Sequence, residues 1–275
     1  MRLQGGGVNA EFADWLTGLS RNPDMAGPIT LPPYIARVST VDDLCDTVFP
    51  PADLANASRD PDFFANRAIL AIRNDQLDPI NDKLMDQLPG DARTYYAANA
   101  AFENGSTTPT DDVTTEFLQS VHLPGLPPHQ LRLKVGAPVM LLRNINPAVG
   151  LCNGTRLLIT RLDAVTFEGR ILAGDYKGTL HTIPRMPVPS IEGELPWILT
   201  RYQLPVRPCF AMTVNKSQGQ TLGVVGVNLQ VSPFAHGQLN VAMSRGTDAG
   251  SITVLLPDGV DTTVNVNYAE VMEGM

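Results

Sequence analysis

Residues 213–221 read Thr-Val-Asn-Lys-Ser-Gln-Gly-Gln-Thr and begin at the end of an apolar run, 209–214, that has the length of a buried strand. Polar side chains and a glycine just past the carboxyl end of a strand would lie in the crevice where open α/β sheets bind ligands. Lys216 supplies a cation for a phosphate group. The alternative interpretation is a solvated turn between two strands, and the nine residues alone leave it open.

Toward the carboxyl terminus, the sequence continues the α/β pattern. Residues 224–229 and 251–256 predict two further strands, and residues 234–244 between them predict a helix. In this helix Leu239, Ala242 and Met243 would form the packing face. Arg245 at its end would present a planar, charged fork suited to phosphate. The alternative for Arg245 is an ordinary surface charge or a partner of the helix dipole.

The amino-terminal part predicts a strand at 68–72, followed by a helix with one apolar face. That face is expected to comprise Leu77, Ile80, Leu84 and Leu88. Asp78 is expected to cap the helix and Pro79 to take its first position. A shorter helix is predicted at 9–18, ended by Gly18. Residues 21–61 read as a connection with one helix at 40–48 and little core of its own.

From residue 131 the pattern changes to short apolar runs. Runs at 139–142, 156–162 and 165–172 predict strands typical of a small antiparallel barrel or meander. The later runs are separated at close intervals by glycines, namely Gly154, Gly169, Gly174 and Gly178. The Pro-rich residues 184–208 are expected to wrap the surface of this region. The sequence therefore predicts a β-barrel inserted into an α/β domain.

Together, the segments around Lys216 and Arg245 resemble the late motifs of superfamily-one DNA helicases of the PIF (petite integration frequency) family. These motifs read T-x-N-K-S-Q-G-Q-T and then V-A-x-S-R within a helix. The match extends to residues 68–81, 131–144 and 150–156, in one order along nearly the whole chain. Helicases of Helitron elements share these motifs. Three positions depart from the family pattern: Ile72, Pro79, and Asn240, where the family usually has an aromatic residue.

The resemblance implies a fold and a domain order. Residues 61–148 and 206–275, the latter with a C-terminal tail, would form the two parts of a second RecA-like α/β domain of the P-loop NTPase type. Residues 149–205 would form an inserted small antiparallel β-barrel of the Src-homology-three type. Residues 1–60 would be a linker and a helix belonging to a first RecA-like domain that the sequence does not contain.

The resemblance also implies a function and the residues that perform it. In such helicases, ATP between two RecA-like domains drives 5′-to-3′ movement along single-stranded DNA, and members act in DNA repair, recombination and telomere maintenance. The residues expected to contact the DNA backbone are Thr213, Asn215 and Lys216, and those expected near the nucleotide are Gln218 and Gly219. Arg245 is expected to reach the γ-phosphate. Its replacement should stop ATP turnover while sparing the fold and much of the DNA binding.

Met1-Arg2-Leu3 resemble a stretch, N-M-R-L, that lies between the two domains in the family and whose arginine also approaches the γ-phosphate. Arg2 is therefore a second candidate catalytic residue, and Met1 is expected to be an internal methionine of a longer chain. The sequence contains neither G-x-x-x-x-G-K-[ST] nor an acidic Walker B strand. We expect it to be inactive alone, with ATP and Mg²⁺ bound only once a first RecA-like domain is supplied in cis or in trans.

Two other functions stay open. One is a stand-alone module that binds single-stranded DNA through the Lys216 loop and the barrel without hydrolysis. The other is a decayed remnant of a transposon. Genomic sequence just upstream of Met1 would discriminate among the three: an in-frame P-loop favours the helicase, a promoter favours the binding module, and stop codons favour the remnant.

Composition bounds these interpretations. The chain has 275 residues, 43% of them hydrophobic, with no apolar run long enough for a membrane helix, so we expect a soluble, intracellular and nuclear protein. Its net charge of −8 argues against nucleic-acid binding, but the acidic residues concentrate before position 120 and many bases lie between Arg132 and Lys216. The three cysteines and four histidines show no ligand spacing, so we expect free thiols and no protein-bound metal.

Overall fold

The computed structural model describes residues 7–57, 60, 62–103, 106, 108–110 and 112–268, which form two compact units. The first unit comprises the described residues of Met1–Gln87 and Phe210–Met275, and the second comprises those of Leu88–Cys209. The boundaries between the units, after Gln87 and after Cys209, differ from the domain boundaries expected from the family resemblance. Those expected domain boundaries stay predictions. No helix among the described residues is both long and apolar enough to span a membrane.

The chain forms short helices and many short strands. The helices are α1 (Val8–Arg21), α2 (Val41–Val48), α3 (Pro51–Leu54), α4 (Leu77–Gln87), α5 (Thr115–Ser120) and α6 (Gln238–Met243). The strands of the first unit are β1 (Gly27–Thr30), β2 (Ala36–Val38), β3 (Arg67–Ala71), β14 (Ala211–Thr213), β15 (Val224–Asn228), β16 (Ile252–Leu255) and β17 (Thr262–Asn265). Those of the second unit are β4 (Arg93–Tyr96), β5 (Ala98–Phe102), β6 (Gln130–Leu133), β7 (Pro138–Leu141), β8 (Arg156–Leu162), β9 (Thr166–Ile171), β10 (Leu180–Pro184), β11 (Met186–Pro189), β12 (Ile198–Gln203) and β13 (Val206–Pro208).

A five-stranded parallel sheet forms the centre of the first unit. Its strand order is β14-β3-β15-β16-β2, and every neighbouring pair runs parallel. The strands predicted at 68–72, 224–229 and 251–256 are therefore confirmed, and their residues are nearly all buried. The run at 209–214 contains the outer strand β14. Because the strands are parallel, their carboxyl ends meet at one edge of the sheet.

Helix α2 packs against the middle of this sheet at a glycine. A Cβ atom at Gly226 would lie 2.8 Å from Val48 Cγ2 and 3.0 Å from Leu44 Cδ1. The helix begins after Thr40, whose hydroxyl accepts a hydrogen bond from the Asp43 amide at 3.0 Å. The helix predicted in this region is thus confirmed, and it covers one face of β15.

The expectation that residues 21–61 contribute little core is wrong. Strand β2 extends the parallel sheet as its outermost strand, beside β16. Strand β1 pairs with β17 in a separate antiparallel ribbon. Side chains from this region are buried in the first unit, among them Leu31, Ile35, Phe49 and Leu54. The sequence pattern conceals β2 because this strand is only three residues long and carries no apolar run.

Helices α1 and α4 differ from the predictions at their ends. Helix α1 continues through Gly18, where a Cβ atom would lie 2.6 Å from Met25 Sδ, so this glycine permits a close approach rather than ending the helix. Helix α4 begins at Leu77, which makes Pro79 its third residue instead of its first. Pro79 is still in the first turn, where a missing N–H costs little. The predicted apolar face of α4 is buried, as expected.

The second unit is built from antiparallel strands. One sheet has the order β10-β9-β8-β7-β13, another has β11-β12-β5, and β4 pairs with β6. The antiparallel strands predicted here are confirmed. In the described residues, β10 and β13 are the outer strands of the largest sheet and do not pair with each other. The closed barrel of Src-homology-three type therefore stays a prediction.

The expectation that residues 184–208 merely wrap the surface is wrong. These residues form β11, β12 and β13. Two of the prolines, Pro187 and Pro189, lie in β11, which is the outer strand of its sheet and therefore tolerates residues without an N–H. Strand β12 pairs with β11 and is the middle strand of the same sheet. Its Arg201 is only 1% exposed, so β12 is buried in the second unit.

Candidate functional site

Strand β14 leads into the candidate site from the outer side of the parallel sheet. The side chain of Asn81 takes the place of a further strand there. The Ala211 N–H donates to Asn81 Oδ1 at 3.0 Å, and Asn81 Nδ2 donates to the Ala211 carbonyl at 3.2 Å. Asn81 is 4% exposed, so both hydrogen bonds are sheltered from water. They fix β14 two residues before the loop begins, a role that the sequence analysis did not assign to Asn81.

A single 3₁₀ turn, Val214–Ser217, follows β14 directly. Side chains three positions apart share a face of such a turn, and Val214 and Ser217 are both buried. Ser217 Oγ donates to the Val214 carbonyl at 2.7 Å. Asn215 and Lys216 are exposed between them, and Thr213 is partly exposed. The turn thus presents an amide, an ammonium and a hydroxyl at the carboxyl edge of the sheet.

The next three residues close this turn. Gly219 has φ +82°, a left-handed backbone conformation that favours glycine. The Gln220 N–H donates to the Ser217 carbonyl at 3.0 Å, and Gln220 Nε2 donates to the Lys216 carbonyl at 3.2 Å. Gln218 and Gly219 are exposed. Residues 213–220, which we call the Lys216 loop, are therefore held by hydrogen bonds within the loop, while the middle of the loop faces solvent.

Arg245 follows α6, and its side chain reaches this loop. Nη1 donates to the Gln220 carbonyl at 3.0 Å and to the Ser217 carbonyl at 3.4 Å. Nη2 donates to Ser244 Oγ at 2.9 Å, and Nε donates to the Val241 carbonyl at 3.0 Å. Four of the five N–H groups of the guanidinium are engaged in this way. The structure therefore joins two of the predicted site segments within the first unit.

The positive charge of Arg245 is partly buried, and no carboxylate of the described residues forms an ion pair with it. Burial lowers the pKa of the Arg245 guanidinium. Within the described ranges, none of the ion pairs of the chain involves this residue. A partly buried cation without a counter-ion favours a nearby anion, so these features fit a phosphate group. The expectation that replacing Arg245 spares the fold and much of the DNA binding stays a prediction, and the hydrogen bonds from Arg245 to the loop argue against it.

Backbone contacts hold α6 against the same loop. The Leu222 N–H donates to the Arg245 carbonyl at 2.9 Å, and Leu222 forms an isolated parallel bridge with Gly246. A Cβ atom at Gly246 would lie 2.5 Å from Ser251 Oγ, so glycine permits this approach. The predicted packing face of the helix is confirmed, because Leu239, Ala242 and Met243 are buried.

Acidic and basic residues are unevenly distributed between the two units. The sequence of the first unit contains nine Lys and Arg against 18 Asp and Glu, a net charge of −9. The second contains eleven against ten, a net charge of +1. Lys216 and Arg245 are the only basic residues after position 209. The two cations of the candidate site therefore belong to the unit with the net negative charge, whereas eleven of the 20 basic residues belong to the other unit.

The remaining candidate groups of the sequence lie elsewhere. Arg2 lies outside the described residues. Cys45 and Cys209 are free and buried, and Cys152 is free and partly exposed. In the part of the chain that the structure describes, His, Cys, Asp and Glu side chains do not gather in groups of three or more that could hold a metal ion.

Known proteins are similar to this chain in sequence. The family model for the DNA helicase Pif1, 2B domain, matches residues 116–162, within the second unit. The human ATP-dependent DNA helicase PIF1 is 32% identical over 192 residues, which cover 68% of this chain and 26% of the human protein. The chain belongs to the Pif1 helicase family. The rat PIF1 helicase is 30% identical over 213 residues, covering 74% of this chain and 30% of the rat protein.

Solved Pif1 helicases share the fold. The crystal structure of Pif1 from Candida albicans superposes with a TM-score of 0.62 at 22% identity and covers 96% of this chain and 56% of that one. Pif1 from Bacteroides, crystallised with ADP-AlF3 and ssDNA, gives a TM-score of 0.58 at 19% identity and covers 100% of this chain and 54% of that one. The α/β fold is thus that of Pif1 helicases. The chain spans about half of these structures and roughly a quarter to a third of the curated relatives.

Proposed function

We propose that this chain is the C-terminal half of an ATP-dependent DNA helicase that moves 5′ to 3′ along single-stranded DNA. The first unit would serve as the second RecA-like domain, and residues 149–205 would form the inserted barrel of Src-homology-three type. A first RecA-like domain with a phosphate-binding loop would be supplied in cis or in trans. The protein would act in the nucleus.

The hydrogen bonds between Arg245 and the Lys216 loop carry this proposal. A helicase must couple the state of its nucleotide to its grip on DNA. Here one guanidinium holds the loop at the Ser217 and Gln220 carbonyls, while its charge has no carboxylate partner among the described residues. An anion that draws Arg245 away removes the donor from both carbonyls. The loop would then be released as the guanidinium moves, which links the two sites by a single side chain.

Each residue of the loop would have a distinct role. Lys216 neutralises one phosphate of the DNA strand, and the Asn215 amide and Thr213 hydroxyl donate to backbone oxygens. Contacts of this kind carry no sequence information, which suits movement along any strand. Gln218 and Gly219, on the exposed part of the loop, would lie beside the nucleotide.

ATP with Mg²⁺, when bound between the two RecA-like domains, would supply the free energy for movement. Arg245 would stabilise the charge on the γ-phosphate oxygens with its planar fork, and Arg2 would approach the same group. An arginine that acts in this way stabilises the transition state only when the two domains are closed around the nucleotide.

The proposal is tested by joining this chain to a first RecA-like domain and measuring DNA-stimulated ATP turnover. Arg245→Ala should lower turnover by about 10³- to 10⁵-fold even at single-stranded DNA concentrations that saturate the variant, which separates the effect on the γ-phosphate from the effect on the loop. Arg245→Lys should not restore it, since a point charge on a flexible stem lacks the fork. Arg21→Ala, at the exposed end of α1, is the matched control and should leave turnover unchanged.

Two results would overturn the proposal. Near-normal turnover in Arg245→Ala would leave this residue as a structural support of the loop only. Binding of single-stranded DNA without turnover in the joined, unaltered chain would favour the non-catalytic binding module instead.

A further inference from the structure

Two exposed tyrosines on the second unit share one arginine through their backbone carbonyls. Tyr96 at the end of β4 is 59% exposed, and Tyr202 in β12 is 46% exposed. Arg185 joins them, because its Nη2 donates to the Tyr202 carbonyl at 3.1 Å and also to the Tyr96 carbonyl. The guanidinium carbon lies 5.4 Å from the centroid of the Tyr202 ring, at cation–π distance. We call Tyr96, His129, Arg185 and Tyr202 the tyrosine patch.

His129 adds a third ring to the tyrosine patch. Its ring centroid lies 6.2 Å from that of Tyr96, with the rings edge to face. Asn99 Oδ1 accepts from Arg201 Nε at 2.7 Å, so the Asn99 amide donates to His129 Nδ1 at 3.1 Å. Burial and the Arg201 charge lower the pKa of His129. The imidazole is therefore neutral at neutral pH and presents a polarisable ring rather than a charge.

The patch rests on a rigid support. Arg201 is 1% exposed and donates to the carbonyls of Leu118 at 2.6 Å and Pro127 at 2.9 Å. Gln203 Nε2 donates to the Tyr95 carbonyl at 2.9 Å, which ties β12 to β4. These hydrogen bonds fix the backbone of the strands that carry the two tyrosines, so a ligand that stacks on the rings restricts only side-chain motion. This separates the patch from scattered surface aromatics, which need no explanation.

Charge indicates what the patch would bind. The second unit contains eleven of the 20 basic residues and has a net charge of +1, although the whole chain has a net charge of −8. Exposed aromatic rings beside arginine on a β surface are the features with which proteins hold single-stranded nucleic acid, because every base has a π face. In duplex DNA these faces are covered by neighbouring base pairs.

We propose that the tyrosine patch is a second binding site for single-stranded DNA, where bases stack on Tyr96 and Tyr202 beside the Arg185 cation. It rests on the proposed function, since its ligand is single-stranded DNA, as for the Lys216 loop. The two sites differ in chemistry: the loop holds phosphates, whereas the patch holds bases. The patch would thus supply affinity that the acidic first unit lacks.

The test measures binding of a fluorescent oligothymidine of about 16 nucleotides to the full chain. Tyr96→Ala and Tyr202→Ala should each raise Kd by about 5- to 150-fold, whereas Tyr96→Phe and Tyr202→Phe should keep most of the affinity. The slope of log K against log salt concentration should stay unchanged, because a ring releases no counter-ions. Phe117→Ala is the control: Phe117 is 50% exposed on the same unit but has Trp197, not an arginine, beside it.

Four outcomes separate this proposal from the function on which it rests. Loss of affinity in the two tyrosine variants, with unchanged Tm and normal binding in Phe117→Ala, supports the patch. Unchanged affinity in both tyrosine variants, or an equal loss in Phe117→Ala, overturns it. If Lys216→Ala still weakens binding in that case, the proposed function stands without the patch. No binding by the unaltered chain would overturn both.

Discussion

Replacing Asn81 by alanine should destabilise the first unit through the edge of its parallel sheet. The variant leaves the N–H and the carbonyl of Ala211 without their partners, which lie at 3.0 and 3.2 Å in the intact protein. A buried backbone group without a partner costs about 1 to 3 kcal/mol. Because β14 is an outer strand, water can partly replace the lost hydrogen bonds in the variant, so we expect the free energy of unfolding to fall by about 2 to 4 kcal/mol in total. For a unit of this size, that lowers Tm by about 5 to 15 °C.

Thermal unfolding followed by circular dichroism measures this effect. Gln87→Ala is the matched control, since Gln87 is an exposed amide on the same helix and should change the free energy of unfolding by less than about 0.5 kcal/mol. Asn81→Ala should also weaken binding of single-stranded DNA, because β14 sets the start of the Lys216 loop. Equal Tm values in Asn81→Ala and Gln87→Ala would refute the role of Asn81 as a substitute strand partner.

Two further predictions concern packing and thiol chemistry. Gly226→Ala places a Cβ 2.8 Å from Val48 Cγ2 and should lower the free energy of unfolding, measured by chemical denaturation, by about 1 to 3 kcal/mol. At Gly223 the nearest atom to a Cβ would be 3.8 Å away, so Gly223→Ala should have little effect. Equal denaturation midpoints for the two variants would contradict this prediction. Burial raises the pKa of the Cys45 thiol to about 11, so iodoacetamide at pH 8 should modify the partly exposed Cys152 first, as peptide mass mapping can check. Because the unfolded Cys45 thiol loses its proton near 9.0, the free energy of unfolding should fall as pH rises from there to about 11, and early modification of native Cys45 would show that this burial is incorrect.

Local sequence patterns predicted the centre of the first unit well. Strands β3, β15 and β16 are continuous apolar runs because both faces of a parallel sheet are covered. The polar stretch after β14 lies at the carboxyl edge of the sheet for the same topological reason. The family motifs identified Lys216 and Arg245 as candidates, and the structure joins their segments by hydrogen bonds.

Contacts between distant parts of the chain could not be predicted in this way. Asn81 and Ala211 are 130 residues apart, and Arg185 and Tyr96 are 89 apart. Neither pair has a local signature, because periodicity records only which face of an element is buried. Strand β2 was missed because it is short and lacks an apolar run. The support of the loop by Arg245 was missed because a sequence motif names a residue but not its hydrogen-bond partners.

The salt dependence of single-stranded DNA binding tests most directly whether the Lys216 loop holds a DNA backbone. Each phosphate contact contributes about 0.7 to the slope of log K against log salt concentration for a single strand. Lys216→Ala should therefore weaken binding and reduce the slope by about 0.7, whereas Lys177→Ala, at an exposed lysine of the second unit, should leave the slope unchanged. Identical affinity and slope in Lys216→Ala and the unaltered chain would contradict the assignment of this loop to DNA.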